Sequence, residues 1–167
     1  MSQKIFKVLF LCTGNSARSI IAEALLQRLG QDRFEAFSAG SIPKGQVNPF
    51  AIELLNANNF NTNSFRSKSL DEFEKDNAPK LDFIFTVCDN AANKICPIWP
   101  GQPISAHWGI DDPDKPELSD DEQRKLFQKA FMALEKRIKI FTDLRLDRLD
   151  NLSLQKELDD IGKIEPE

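Results

Sequence analysis

The stretch that decides the fold is residues 12–19, which read Cys12-Thr13-Gly14-Asn15-Ser16-Ala17-Arg18-Ser19. It follows an apolar run, residues 5–11, which has the composition of a strand buried on both faces. It leads into a helical pattern from Ser19 to Leu29, so it lies on a turn between a strand and a helix. Backbone N–H groups in such a turn, together with the positive end of the helix dipole, make a socket for a tetrahedral oxyanion.

The residue types of this stretch suit a loop that binds an anion and carries a nucleophile. Gly14 and Asn15 tolerate the left-handed backbone angles of a tight turn. Arg18 can donate two charge-assisted hydrogen bonds to one anion, and the same positive field is expected to lower the pKa of the Cys12 thiol from about 8.5 to below about 7. We predict that Cys12 is a nucleophile and that the oxyanion is bound by Thr13, Gly14, Asn15, Ser16, Ala17, Arg18 and Ser19. The alternative is a buried cysteine beside an unrelated arginine, since Cys-x5-Arg alone is a weak pattern.

Length and composition indicate one globular domain. The chain has 167 residues, of which 41% are hydrophobic and 29% charged. We expect a single catalytic domain over residues 1–167, with a core over about 4–145 and a helical tail over about 146–167. The net charge of −4 disfavours a nucleic-acid binder. The sequence shows no secretory signal and has three cysteines, an odd number, so we expect a cytoplasmic protein. It has no long apolar stretch, so we expect no membrane binding, and nothing in it demands an oligomer, so we expect a monomer.

Strand and helix patterns alternate along the chain. The predicted strands cover residues 4–11, 34–39, 81–87 and 104–107, and the predicted helices cover 19–29, 48–58 and a long stretch from 119, with a weaker helix over 152–161. This alternation predicts an α/β fold with a parallel sheet covered on both faces. Ligands bind at the carboxyl ends of such strands, where Cys12, Cys88, His107 and Asp111–Asp112 follow.

Cys88 directly follows the third predicted strand, and Cys96 lies eight residues later. If the segment between them were helical, it would rise about 12 Å, whereas a disulfide needs Cα atoms about 4.4–6.8 Å apart. A disulfide would therefore require this segment to unwind, which its small and polar composition tolerates. Two alternatives are buried core thiols and a zinc site with His107, although the chain has no close Cys-x2-Cys pair.

Asp111, Asp112 and Pro113 follow the fourth predicted strand. The residue before a proline is held extended, so Asp112 is presented on a stiff turn, where a carboxyl could protonate a leaving oxygen. The local sequence is equally compatible with an acidic surface turn. His107 and Trp108 are expected to be structural, and the chain has neither a GxGxxG nor a Walker motif.

The loop of residues 12–19 resembles the anion loop of the low-molecular-weight protein tyrosine phosphatases and, more closely, that of the arsenate reductases that share their fold. Residues 86–92 (TVCDNAA), 96–101 (CPIWPG) and 106–113 (AHWGIDDP) are also similar to those reductases. The resemblance covers residues 4 to about 145. It implies a four-stranded parallel sheet in the order 2-1-3-4 with helices on both faces.

The resemblance implies arsenate reduction through three cysteines. The Cys12 thiolate would attack arsenic while Asp112 protonates the departing oxygen, Cys88 would then attack Cys12, and Cys96 would attack Cys88. The implied partners are arsenate and an external thiol reductant, either thioredoxin or glutathione with glutaredoxin, and no bound cofactor is implied. A phosphoester hydrolase, which needs only Cys12, Arg18 and Asp112, and an oxyanion sensor without turnover are the alternatives.

At two positions this chain carries a charged residue that differs from the residue in the families it resembles. Some of these reductases hold a potassium ion with an Asn, a Glu, a Ser and an Asp. Asn15, Glu23 and Ser38 match the first three, but Lys68 stands at about the fourth position. We therefore expect no metal ion and a contact between Lys68 and Glu23. The phosphatases carry a tyrosine after their Asp-Pro, whereas this chain has Asp114 there and no tyrosine.

Overall fold

One parallel sheet organises the chain. The computed structural model describes residues 4–87 and 103–164. Four strands form the sheet in the order β2-β1-β3-β4, with bounds β1 Phe6–Cys12, β2 Phe34–Gly40, β3 Phe83–Thr86 and β4 Ile104–His107. Every pair of neighbouring strands is parallel. The predicted α/β class and strand order are therefore confirmed.

Four α-helices belong to the described residues, namely α1 Arg18–Leu29, α2 Pro49–Ala57, α3 Asp120–Asp143 and α4 Asn151–Gly162, with a short 3-10 helix at Leu70–Phe73. Helices α2 and α3 each begin at a residue whose side chain caps the helix. The Asn48 side chain accepts a hydrogen bond from the backbone of Phe50, and Ser119 accepts one from the backbone of Glu122. The Ser119 hydroxyl also donates to the Glu122 carboxylate at 3.0 Å, so the two side chains are tied together across the first turn of α3. None of these helices is both long enough and apolar enough to cross a bilayer.

Helix α1 differs from its prediction in two respects. It begins at Arg18 rather than Ser19, and the cap residue Ala17 supplies no side-chain hydrogen bond. Ile21 and Leu25 are buried and Leu29 packs against the same core, but the burial extends all round the helix over residues 19–26. The cause is tertiary: α1 packs between strands β1 and β2 on one side and helices α2 and α3 on the other.

The larger core, on the side of the sheet that holds α1 and α3, is rich in aromatic rings. Phe85 and Trp108 stack with ring centroids 3.9 Å apart, and Phe141 of α3 meets both rings edge-on. Such pairs add about 0.5–1.5 kcal/mol each beyond the area they bury. The opposite face carries a smaller apolar cluster, which includes Leu9 and Phe73.

Helix α4 covers the edge strand β4. The Trp108 indole N–H donates to the carbonyl of Leu158 at 2.9 Å, and Trp108 is fully buried, in agreement with its predicted structural role. From α3, Arg137 donates to the carbonyls of Trp108 at 2.6 Å, Gly109 at 3.1 Å and Ile164 at 3.0 Å. The predicted C-terminal tail is therefore tied to the segment that leads into Asp112.

Candidate active site

An open pocket of about 350 Å³ lies at the carboxyl end of β1. Its lining brings together three predicted site residues, Cys12, Arg18 and Asp112. The full lining is Cys12, Thr13, Gly14, Ser16, Ala17, Arg18, Ile42, Lys44, Asp112 and Asp114. Three of these lining residues are not predictable from a motif, namely Ile42, Lys44 and Asp114; the signal they offer is that they follow β2 or the Asp-Pro turn.

The carbonyl groups of the loop point away from this pocket. Those of Cys12, Thr13, Gly14 and Ser16 accept backbone hydrogen bonds of 2.8–3.1 Å from Ser41, Ile42, Lys44 and Asn48. In a trans peptide the N–H points opposite to the C=O that precedes it, and the described residues contain no cis peptide. The N–H groups of residues 13, 14, 15 and 17 therefore point to the pocket side. This arrangement is an anion-binding nest continued by the start of α1.

Asn15 shapes the loop from behind. It has a φ of 46° and is fully buried. Its side-chain nitrogen donates to the Ser19 hydroxyl at 2.8 Å, and its side-chain oxygen accepts from the Lys68 backbone at 2.8 Å. The Asn15 and Ser19 side chains thus support the loop from behind and do not line the pocket; that the oxyanion is bound at these two positions stays a prediction.

Of the two loop residues expected to tolerate left-handed backbone angles, Asn15 adopts them and Gly14 does not. The lack of a side chain at Gly14 has another use. A Cβ there would lie 3.2 Å from both Cγ and Cε of Lys44, so the glycine lets the lysine stem run across the loop.

Arg18 connects the loop to the Asp-Pro turn. Its Nη1 donates to the carbonyl of Ile110 at 2.9 Å, and its Nη2 lies 3.6 Å from Oδ2 of Asp112. The Arg18 side chain is 13% exposed, so its guanidinium is held in place and still reaches the pocket. Asp112 is 46% exposed and lines the pocket, whereas Asp111 does not. Of the two aspartates before Pro113, the structure therefore places Asp112 at the pocket and Asp111 outside its lining.

Cys12 is buried at the end of β1 and contributes to the pocket lining. Cys88 and Cys96, the other two predicted redox residues, lie outside the described residues. Val87, the residue before Cys88, donates a backbone hydrogen bond of 3.0 Å to Leu11, the residue before Cys12.

A buried ion pair between Lys68 and Glu23 lies behind the loop, which confirms the expected contact. Lys68 Nζ stands 3.7 Å from Oε1 of Glu23 and 3.3 Å from the hydroxyl of Ser38, which also donates to Glu23. Burial raises the pKa of Glu23, against the opposing effects of Lys68 and Ser38, and burial lowers the pKa of Lys68. These residues do not fit a potassium ion, because an ammonium group already stands beside the Glu23 carboxylate and the Ser38 hydroxyl.

Comparison with known proteins gives consistent matches. The sequence model of the family described as low molecular weight phosphotyrosine protein phosphatase matches residues 7–157. A protein named arsenate reductase from Shouchella clausii is 37% identical over 143 residues, which are 86% of this chain and 98% of that protein.

Solved structures agree with these sequence matches. The crystal structure of an arsenate reductase from Archaeoglobus fulgidus superposes with a TM-score of 0.65 at 26% identity, covering 82% of this chain and 99% of the other. A structure named thioredoxin-dependent arsenate reductase from Corynebacterium glutamicum gives a TM-score of 0.60 at 25% identity, covering 83% of this chain and 61% of the other.

Proposed function

The chain belongs to the low molecular weight phosphotyrosine protein phosphatase family and, within it, to the arsenate reductases, and on that premise we propose that it reduces arsenate to arsenite at Cys12. The observation that carries the proposal is the loop of residues 12–18. The loop surrounds the pocket with inward-pointing N–H groups and the side chain of Arg18. Cys12 lies at the start of the loop, where strand β1 ends. This is a geometry for holding a tetrahedral oxyanion against a nucleophile.

Two kinds of group are proposed to bind the arsenate: the backbone N–H groups of the loop and the guanidinium of Arg18. Arsenate has the shape and charge of phosphate, so the inward N–H groups and the Arg18 guanidinium can hold its oxygens. Arg18 meets the anion without a large rearrangement, because its Nη1 is already anchored on Ile110. The pocket is thereby organised before the substrate arrives, which lowers the entropy cost of reaction.

The first chemical step joins sulfur to arsenic. The Cys12 thiolate attacks arsenic, an arsenic–oxygen bond breaks, and the departing oxygen leaves as water after it accepts a proton. Asp112 is the proposed proton donor, since its carboxyl lies 3.6 Å from the Arg18 guanidinium that holds the anion.

The second step moves two electrons. The Cys88 thiolate attacks the sulfur of Cys12, a disulfide forms, and the electron pair of the sulfur–arsenic bond stays on arsenic, which leaves as arsenite. The hydrogen bond between Val87 and Leu11 supports this step, because each of these residues is bonded to one of the two cysteines.

The third step regenerates the nucleophile. Cys96 attacks Cys88, the Cys12 thiolate leaves, and a Cys88–Cys96 disulfide results. We propose that an external thiol protein in the cytoplasm then reduces this disulfide. Thioredoxin is the first donor to test because the Corynebacterium glutamicum relative is named thioredoxin-dependent; glutathione with glutaredoxin is the alternative.

A phosphoester hydrolase is the second candidate, because Cys12, Arg18 and Asp112 around one pocket suffice for it. Cys88 and Cys96 distinguish the two reactions. Phosphate does not accept two electrons from a thiol, so these two cysteines have a use in arsenate reduction and none in ester hydrolysis.

The deciding experiment measures arsenate-dependent NADPH oxidation with thioredoxin and thioredoxin reductase, beside hydrolysis of an aryl phosphate. We expect the wild type to oxidise NADPH only when arsenate is present. Cys88→Ser and Cys96→Ser should each stop this reaction and spare any aryl phosphate hydrolysis. Fast hydrolysis without arsenate reduction, with either the thioredoxin or the glutaredoxin system, would support the phosphatase instead.

A further inference from the structure

Two cation–carboxylate pairs face the pocket, whereas the proposed mechanism uses only one. Arg18 and Asp112 form the first pair. The second joins Nζ of Lys44, in the segment after β2, to Oδ2 of Asp114 at 3.0 Å. Both Lys44 and Asp114 line the pocket with Cys12, so a bound anion would meet this second pair as well.

The backbone of Lys44 is fixed to the anion loop. Its N–H donates to the carbonyl of Gly14 at 2.9 Å. The Ser67 hydroxyl reinforces the attachment, since it accepts from the N–H of Gly45 and donates to the same Gly14 carbonyl, both at 3.1 Å. The lysine stem also runs across Gly14. The backbone and stem of Lys44 are therefore fixed against the anion loop, and they place the ammonium group at the mouth of the pocket.

The ammonium group itself remains able to change partner. The Lys44 side chain is 57% exposed and that of Asp114 is 24% exposed, so the ammonium group lies in water, and ion pairs at the surface are worth only about 0–1 kcal/mol. Asp114 offers one carboxylate, while a tetrahedral dianion brings two charges and several oxygens into the same pocket. The stronger partner is thus the dianion, and the weak pair with Asp114 is easily exchanged.

We propose that Lys44 is a second cationic ligand of the oxyanion and that Asp114 holds it at the pocket mouth until the anion displaces the carboxylate. This inference rests on the proposed function for the class of ligand, a small tetrahedral oxyanion. It assigns opposite effects to the two members of one ion pair. Lys44 strengthens binding, whereas Asp114 competes with the anion for Lys44 and also repels it.

The test compares the dissociation constant of inorganic phosphate, a stand-in for arsenate, in Lys44→Gln and Asp114→Asn, measured by calorimetry. We expect Lys44→Gln to weaken phosphate binding about tenfold and Asp114→Asn to strengthen it about twofold to fivefold. Lys4→Gln is the matched control. Lys4 is 64% exposed and pairs with Asp82 at 3.1 Å, and it precedes β1 at the end opposite Cys12. It should leave binding unchanged.

A merely structural brace would respond differently, because breaking a brace from either side has the same effect. Weaker phosphate binding in both variants, or binding in Lys44→Gln within twofold of the wild type, would overturn the inference. So would an Asp114→Asn variant that fails to bind more tightly. Phosphate binding does not require turnover. If the two variants shift the phosphate dissociation constant in opposite directions but the protein does not reduce arsenate, the proposed function alone is refuted. If the protein reduces arsenate but the two dissociation constants do not shift in opposite directions, this inference alone is refuted.

Discussion

Arg18 and Asp112 face each other across the pocket, with Nη2 of the arginine 3.6 Å from Oδ2 of the carboxylate. The arginine comes from the first turn of α1 and the aspartate from the turn after β4, so the pair links the anion loop to the proposed proton donor. The second guanidinium nitrogen, Nη1, is anchored on Ile110, two residues before Asp112. One side chain thereby orients both parts of the site.

Arg18→Lys should be severe, because an ammonium group cannot bond to Ile110 and present a planar fork to the anion at the same time. We expect kcat/KM for arsenate to fall about 10²–10³-fold. Steady-state kinetics with the thioredoxin system provides the measurement. A turnover near that of the wild type would remove Arg18 from the binding site.

Asp112→Asn should lower turnover by roughly 10²–10⁴-fold while leaving phosphate binding nearly intact, because an amide keeps the shape but cannot donate the proton in the same way. Asp111→Asn is the matched control, since Asp111 is its exposed neighbour outside the pocket. Its effect should be much smaller. A larger loss of turnover in Asp111→Asn than in Asp112→Asn would show that Asp112 is not the proton donor.

Lys68→Met should destabilise the protein in a pH-dependent way. Burial already raises the pKa of Glu23, and loss of Lys68 removes the charge that opposes this shift. The folded protein then keeps a proton that the unfolded chain releases, so the free energy of unfolding falls as pH rises above the ordinary carboxyl value of 4.5. Well above that value the loss should approach about 3–5 kcal/mol, as for other broken buried pairs.

Thermal melts of Lys68→Met over a pH series measure this effect, and the double variant Glu23→Gln/Lys68→Met is the control. It has no buried carboxylate left unpaired, so it should regain most of the stability and lose the added pH dependence. A Lys68→Met variant whose melting temperature runs parallel to that of the wild type across the pH series would contradict the buried pair.

Potassium and tetramethylammonium salts at matched ionic strength should give the wild type the same melting temperature, because Lys68 stands where a potassium ion would bind.

Gly162→Ala should loosen helix α4 from strand β4. A Cβ at this position would clash with the carbonyl oxygen of His107 and lie 3.0 Å from the Trp108 ring. Overpacking of this kind costs about 1–3 kcal/mol, which corresponds to a melting temperature roughly 2–12 °C lower. Lys156→Ala, an exposed change in the same helix, is the control. Equal melting temperatures for the two variants would show that α4 is not packed as described.

Much of the fold was predictable because local signals and tertiary structure agree. Residues 48–49 and 119–122 carry cap chemistry that acts within one turn, and both helices begin where this chemistry indicates. The existence and bounds of helix α1 were predictable to within one residue, but its burial all round was not, because that burial depends on α3, which lies about 100 residues later in the chain. Periodicity within residues 19–29 contains no information about that contact.

The site was predictable where it coincides with a contiguous motif. Cys12 and Arg18 belong to one loop, and Asp112 belongs to one turn, so their residue types indicated a role. Lys44 and Asp114 have no motif. They meet only because the segments after β2 and β4 converge over the pocket, and their contact joins residues 70 positions apart. Local sequence cannot specify such an approach.

The most direct test of the central claim is a single turnover without any external reductant. Fully reduced protein is mixed with arsenate, and the arsenite formed per chain is counted by chromatography. The account predicts about one arsenite per chain for the wild type and for Cys96→Ser, because oxidation of the Cys12 and Cys88 thiols to one disulfide releases the two electrons that arsenic accepts. It predicts none for Cys12→Ser or Cys88→Ser. Arsenite formation by Cys12→Ser, or its absence in the wild type, would contradict the account.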